Sequence, residues 1–205
     1  MAELDLASLS APAAGVLLVS ALLVLASRDW RWTIAALGVQ YAAVFVLVAQ
    51  SWRLELAVVK LVAGWMAVAI LGGTQDVTYA EPERGRPSGI VFRVLTGGMV
   101  ALVVFSSVPD VAAVLNDYVE GVNIPQLGGG LLLLGMGLAM LGLSATPLRV
   151  ALALLIMFSG FEILYAIVEN STLVAGLLAL VNLALASIGA YLHMVPNFEE
   201  PRKVR

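Results

Sequence analysis

Apolar residues in this chain neither alternate strictly nor form the narrow stripe of a surface helix. They run on, on all sides, for about 20 residues at a time, the length a helix needs to cross roughly 30 Å of hydrocarbon. Seven such stretches stand out, at 12–27, 32–51, 54–73, 90–107, 127–144, 147–169 and 172–194. The polar breaks between them read SRDWRW, SWRLE, TQDVTYAEPERGRPSG, PDVAAVLNDYVEGVNIPQL, SATPLR and VENST. Continuous apolar runs of this length satisfy their backbone hydrogen bonds in lipid only as helices. The pattern therefore predicts an all-α, polytopic membrane protein with seven transmembrane helices. Pro147 suits the first turn of the sixth, where a missing N–H goes unnoticed. The opening MAELDLASLS has no basic segment and carries Glu3 and Asp5, so the first stretch is expected to be a retained helix rather than a cleaved leader. Val111, Val114, Leu115 and Val119 share an approximate face, which predicts a short interfacial helix within 108–121.

Composition narrows the chemistry. Of 205 residues, 61% are hydrophobic and 12% charged, whereas soluble domains carry about 25% charged residues. The absence of cysteine excludes disulfides and thiolate chemistry. A single histidine, His193, excludes a multi-histidine metal or haem site within the chain. Gly128 to Gly130, Gly135 and Gly137 begin an apolar helix with no Lys-Ser/Thr after them, so they suit close helix contact rather than a phosphate loop. No nucleophile–base set is present, no cofactor is expected, and a net charge of −3 gives no reason to expect nucleic acid.

Charge also predicts direction. With the N-terminus outside, the inner segments hold Arg28, Arg31, Arg84, Arg86, Arg93, Arg149, Arg202, Lys203 and Arg205, and the outer ones only Arg53. The positive-inside rule then places the C-terminus and the 74–89 loop in the cytoplasm of a cell with an inner membrane.

An offset of 122 residues lays IAALGVQYAAVFVL on LIMFSGFEILYAIV and AVVKLVAGWMAV on ALVNLALASIGA. It pairs Gln40 with Glu162 and Lys60 with Asn182. Two parallel three-helix repeats joined by a linker helix are therefore expected: 1–73, then a joining region 74–126 (inner loop, linker helix and outer loop), then 127–194. Residues 195–205 form a cytoplasmic tail. Glu162, Lys60, Gln40 and Asn182 are the polar residues inside spans, and such groups face a bundle interior or a hydrated path. Glu162 and Lys60 are candidates for proton or cation handling, with a structural ion pair as the plainer alternative. Gln40 and Asn182 also suit interhelical hydrogen bonding. Tyr165 and Glu169 follow Glu162 on a similar face and are candidates for a relay to the outer surface, Glu169 already lying at the boundary.

Gly160-Phe161-Glu162-Ile163 and Ala186-Ser187-Ile188-Gly189, with His193 after them, resemble the K subunit (chain 4L) of NADH-quinone oxidoreductase, or complex I. Over its whole length the chain resembles component E of hydrogenase-4, through Val39-Gln40 and Val59-Lys60-Leu61. The resemblance implies a non-redox subunit of a complex I-like or hydrogenase-like ion-translocating oxidoreductase, without a catalytic centre of its own. Its partners would be antiporter-like membrane subunits, other subunits of that assembly and the lipid bilayer. Glu162 and Lys60 would then lie on a lateral proton or sodium pathway. The K family's second glutamate falls on Leu185, and the acid expected in the last helix of the longer family falls on Asn182. The competing expectations are a small subunit of a multi-subunit cation/proton antiporter and a structural membrane scaffold.

Overall fold

The computed structural model describes residues 6–27, 29–74, 89–119, 121–144 and 146–194, all in helices or short connections. The expected inner loop, Tyr79 to Ser88, and the tail 195–205 lie outside these residues. Seven helices follow in order: α1 (Leu6–Ala26), α2 (Trp30–Val48), α3 (Leu54–Gly73), α4 (Ile90–Asn116), α5 (Ile124–Leu143), α6 (Pro147–Val168) and α7 (Thr172–Met194). All seven are long and apolar enough to span a bilayer. The protein is a multi-pass helical membrane protein.

Their ends follow from local chemistry. Asp29 caps α2 by accepting from Arg31 N at 2.9 Å, and Asn123 caps α5 by accepting from Gln126 N at 3.2 Å. These side chains satisfy N–H groups that the first turn leaves open. Pro147 opens α6, as its fixed φ and missing donor favour.

Two differences from the sequence pattern concern helix ends. Helix α1 starts at Leu6 and runs through Pro12. The separate interfacial helix expected within 108–121 does not form; that segment continues α4 to Asn116, through Pro109. The proline removes a single backbone donor. Val108 and Ala112 hold the continued helix in place by packing with Leu127 of α5 in a small apolar cluster.

The helices lie in two rows. One row is α1–α2–α3 and the other α5–α6–α7, with α1 against α5, α2 against α6 and α3 against α7. Helix α4 stands outside, on α5 and α1. Two polar stitches show which ends share a side. Trp52 Nε1, after α2, donates to Glu169 O, after α6, at 2.8 Å. At the opposite end, Arg149 Nη2 of α6 donates to Ser27 O, after α1, at 2.6 Å.

The most extensive interface, between α5 and α6, is built on glycines. A Cβ on Gly160 would lie 2.6 Å from Leu134 N and 2.7 Å from Gly130 O, and one on Gly137 would lie 2.7 Å from Met157 N. Removing side chains lets two backbones approach, which matters in lipid because the hydrophobic effect does not drive helices together there. Gly160→Ala should therefore lower stability by about 1–3 kcal/mol through overpacking, read as a lower thermal midpoint in detergent. Gly98→Ala, whose added Cβ meets nothing within 4 Å, should leave the midpoint unchanged or slightly raised; equal effects at the two positions would contradict the close α5–α6 contact.

Candidate functional site

Four helices enclose the polar interior. Helices α2, α3, α7 and α6 form a ring in which each packs on the next, while the diagonal pairs α3/α6 and α2/α7 do not pack against each other to any extent. Each carries a polar residue that meets another across the ring or beside it: Tyr41 on α2, Lys60 on α3, Ser159 and Glu162 on α6, Asn182 on α7, while Gln40 is buried on α2 next to Tyr41. Gln40 and Glu162 are each 1% exposed, Lys60 4% and Asn182 0%. At 1.5 Å per residue, the Gln40, Lys60, Glu162 and Asn182 Cα atoms sit about 9–15 Å in from the helix ends nearest the Trp52–Glu169 stitch. That is one level, well inside the hydrocarbon.

Two polar contacts cross the ring along its diagonals. Lys60 Nζ and Glu162 Oε2 form an ion pair from α3 to α6. Tyr41 Oη donates to Asn182 Oδ1 at 3.0 Å, from α2 to α7. The two diagonals meet at Lys60, whose Nζ lies 5.2 Å from the Tyr41 ring centroid. On another side the Phe158 ring centroid lies 6.0 Å away. Gly64, one turn below Lys60 on α3, makes room for this: a Cβ there would overlap the Tyr41 ring.

Magnitudes rank these contacts. Removing one partner of a buried ion pair is destabilising by about 3–5 kcal/mol, because the other charge is stranded. A cation over a desolvated aromatic face gains about 2 kcal/mol per ring. Two rings thus offset a large part of what Lys60 would lose without Glu162. Among the described residues the carboxylate has no second ion-pair partner.

Two amide groups stay unmatched. Gln40 Oε1 and Asn182 Nδ2 are buried without a hydrogen-bond partner among the described residues. One is an acceptor and the other a donor, on helices diagonal to each other.

The two outer candidates are elsewhere. Glu169 is exposed beyond the end of α6, its Oε1 accepting from Asn170 N at 3.1 Å. Tyr165 stacks on Phe161 with centroids 6.0 Å apart, and Phe161 is 45% exposed on the outer surface of the bundle. Neither residue contacts the ion pair. Helical spacing put Tyr165 between the two carboxylates in sequence, but its ring belongs to a Phe158–Phe161–Tyr165 ladder.

Tyr41, Phe158 and Ser159 were not singled out from sequence. Tyr41 adjoins Gln40, and Gly64 follows Lys60 by one turn, so a polar-plus-small pattern was available. Aromatic residues in a span read as apolar filling, which hides their role as cation faces. A smaller polar place lies where α2 and α6 end and α5 begins. There Ser51 Oγ donates to the buried Gln126 Oε1 at 3.0 Å, beside a cavity of about 190 Å³ lined also by Gln50, Asn123 and Ile167. Among the described residues no three of His, Cys, Asp and Glu come together as a metal site.

Comparison with family models, with characterised proteins and with solved structures found no match for this chain.

The ion pair makes an unequal prediction. Lys60→Met, which strands the Glu162 carboxylate, should lower stability by about 3–5 kcal/mol. Adding Glu162→Gln to it should recover much of that loss, as a double-mutant cycle on thermal midpoints would show. Strict additivity of the two changes would mean that the pair does not form.

Proposed function

We propose that this protein is a non-redox membrane subunit of a complex I-like or hydrogenase-like ion-translocating assembly, in which the Lys60–Glu162 pair handles protons or cations. One observation carries the reading. A lysine and a glutamate, buried deep in the spans, meet across a four-helix ring that also holds Tyr41, Ser159 and Asn182. Bringing two charges into hydrocarbon is unfavourable, and well-packed apolar residues hold helices together as well or better. A pair maintained at that expense is suited to a task in which a charge or a proton changes place.

The resemblance of Gly160-Phe161-Glu162-Ile163 and Val59-Lys60-Leu61 to complex I and hydrogenase membrane subunits gives the task its class. Such a subunit needs no cofactor and works beside antiporter-like partners. Facing α1 with α5, α2 with α6 and α3 with α7 also supports two parallel three-helix units, 1–73 and 127–194, joined through α4. In the cell membrane, the distribution of Lys and Arg favours an outer N-terminus and a cytoplasmic C-terminus.

The structural alternative has its own support. The ion pair ties α3 to α6, two helices that otherwise lack a shared interface, and so acts as a brace. Glu162→Gln separates the two roles. The translocation role expects the subunit to co-purify normally with its membrane partners while ion movement in reconstituted vesicles falls by tenfold or more. Normal ion movement in that variant would leave only the brace.

Topology has a direct test, since the chain lacks cysteine. A thiol reagent that cannot cross membranes should label Ser171→Cys on intact cells and Ser88→Cys only after permeabilisation. The reverse pattern would invert the proposed orientation.

A further inference from the structure

The geometry around Lys60 points to more than a paired lysine. We propose that Tyr41 and Phe158 form an aromatic cradle that keeps the Lys60 ammonium in place when Glu162 carries a proton. Glu162 is then the member of the pair that exchanges its proton, and Lys60 is a fixed charge. This rests on the proposed role of Glu162 in translocation, and it names which group moves the proton.

Three observations support the cradle. The first is position: the ammonium faces two ring centroids, at 5.2 and 6.0 Å, as well as the carboxylate. A cation within about 6 Å of an aromatic centroid is attracted by the ring's negative face, most strongly where water is absent. The second is rigidity. The Tyr41 ring is fixed at one end by its hydroxyl on Asn182 Oδ1, with Ser159 beside the phenol. Along its edge it is fixed by the close approach that Gly64 permits. A ring anchored at both places cannot turn away when the carboxylate changes charge.

The third observation is what else faces Lys60. Around the ring, the titratable groups are Glu162 from α6 and Tyr41 from α2; α7 contributes the neutral Asn182. Gln40, on α2, is neutral as well. Among the described residues no second carboxylate faces the ammonium, so a lysine released by Glu162 still has the two ring faces to rest on. In this arrangement a proton arriving at Glu162 leaves the site with one net positive charge, and a proton leaving restores neutrality. Tyr41 and Phe158 are positioning residues in that step. They neither gain nor lose a proton.

Fluorination tests the cradle, because it weakens the face of a ring while preserving its shape. The full chain would be prepared with mono-, di- and trifluorophenylalanine at Phe158, in the native, Glu162→Gln, and Lys60→Met plus Glu162→Gln backgrounds. The neutral amide in Glu162→Gln stands in for the protonated acid. The expected result is a stepwise fall of thermal midpoint with each fluorine in Glu162→Gln, about 4–8 °C over the series. The native chain should show a smaller fall, and the double variant, which lacks the ammonium, none. Tyr41→Leu should likewise lower the midpoint more in Glu162→Gln than in the native chain.

Equal slopes in all three backgrounds would overturn the cradle. So would failure of Glu162→Gln to fold when the Lys60→Met plus Glu162→Gln chain folds, since the rings would then not hold the ammonium. The translocation reading fails separately. If the slopes are as expected but Glu162→Gln leaves ion movement intact, the cradle exists and the proton role of Glu162 does not.

Discussion

A charge inside a bilayer has no water to turn to, and much of this structure follows from that constraint. Lys60 and Glu162 lie on helices that hardly touch, yet they meet. Their meeting requires α2, α3, α7 and α6 to close into a ring narrow enough for one lysine side chain to reach across. The closure depends on small side chains at the contacts: Gly64 under the Tyr41 ring, and Gly189 against Ala151 where α7 meets α6. A larger residue at either place would widen the ring and separate the charges. The ion pair and the glycines are therefore parts of one solution.

Lipid explains why close fit rather than hydrophobicity shapes the remainder. Leucine gains little by leaving lipid for protein, so helices associate through backbone approach and interhelical hydrogen bonds. The α5–α6 interface shows the first means, with Gly130, Gly137 and Gly160 bringing the backbones together. The polar stitches at the two ends of the bundle show the second. Helix α4 uses little of either. Gly97 lets it approach Leu22 and Leu25 of α1, while Val91, Leu95, Met99 and Leu102 point outward. It joins the two rows without entering the ring.

The spans were legible in the sequence because an all-round apolar run of 20 residues has few other stable forms. The buried charges were legible for the same reason, since a lone Glu162 or Lys60 stands out in such a run. Their meeting was not, because helical periodicity assigns a residue to a face and leaves open which distant helix that face meets. Tyr41 shows a different limit. Its chemistry depends on a ring face pointing at a cation, and composition counts that ring as apolar. Helix ends near proline were hard to place for a simpler reason. Pro109 resembles a stop, but the Val108–Ala112–Leu127 contact outweighs one missing hydrogen bond.

Charge balance also accounts for the neutral residues in the ring. The spans contain a single lysine, Lys60, and it can balance one carboxylate at a time. An acid at 182, instead of Asn182, would compete with Glu162 for the same ammonium. One of the two would then have to stay protonated, because a second unpaired carboxylate in hydrocarbon is strongly unfavourable. An acid at 185 would face the same shortage. Leu185 is partly buried and packs against the core, so it needs no counter-ion. Asn182 and Leu185, both neutral side chains on α7, thus fit one physical constraint. With a single lysine in the ring, only one acid at a time can be ionised there with its charge paired.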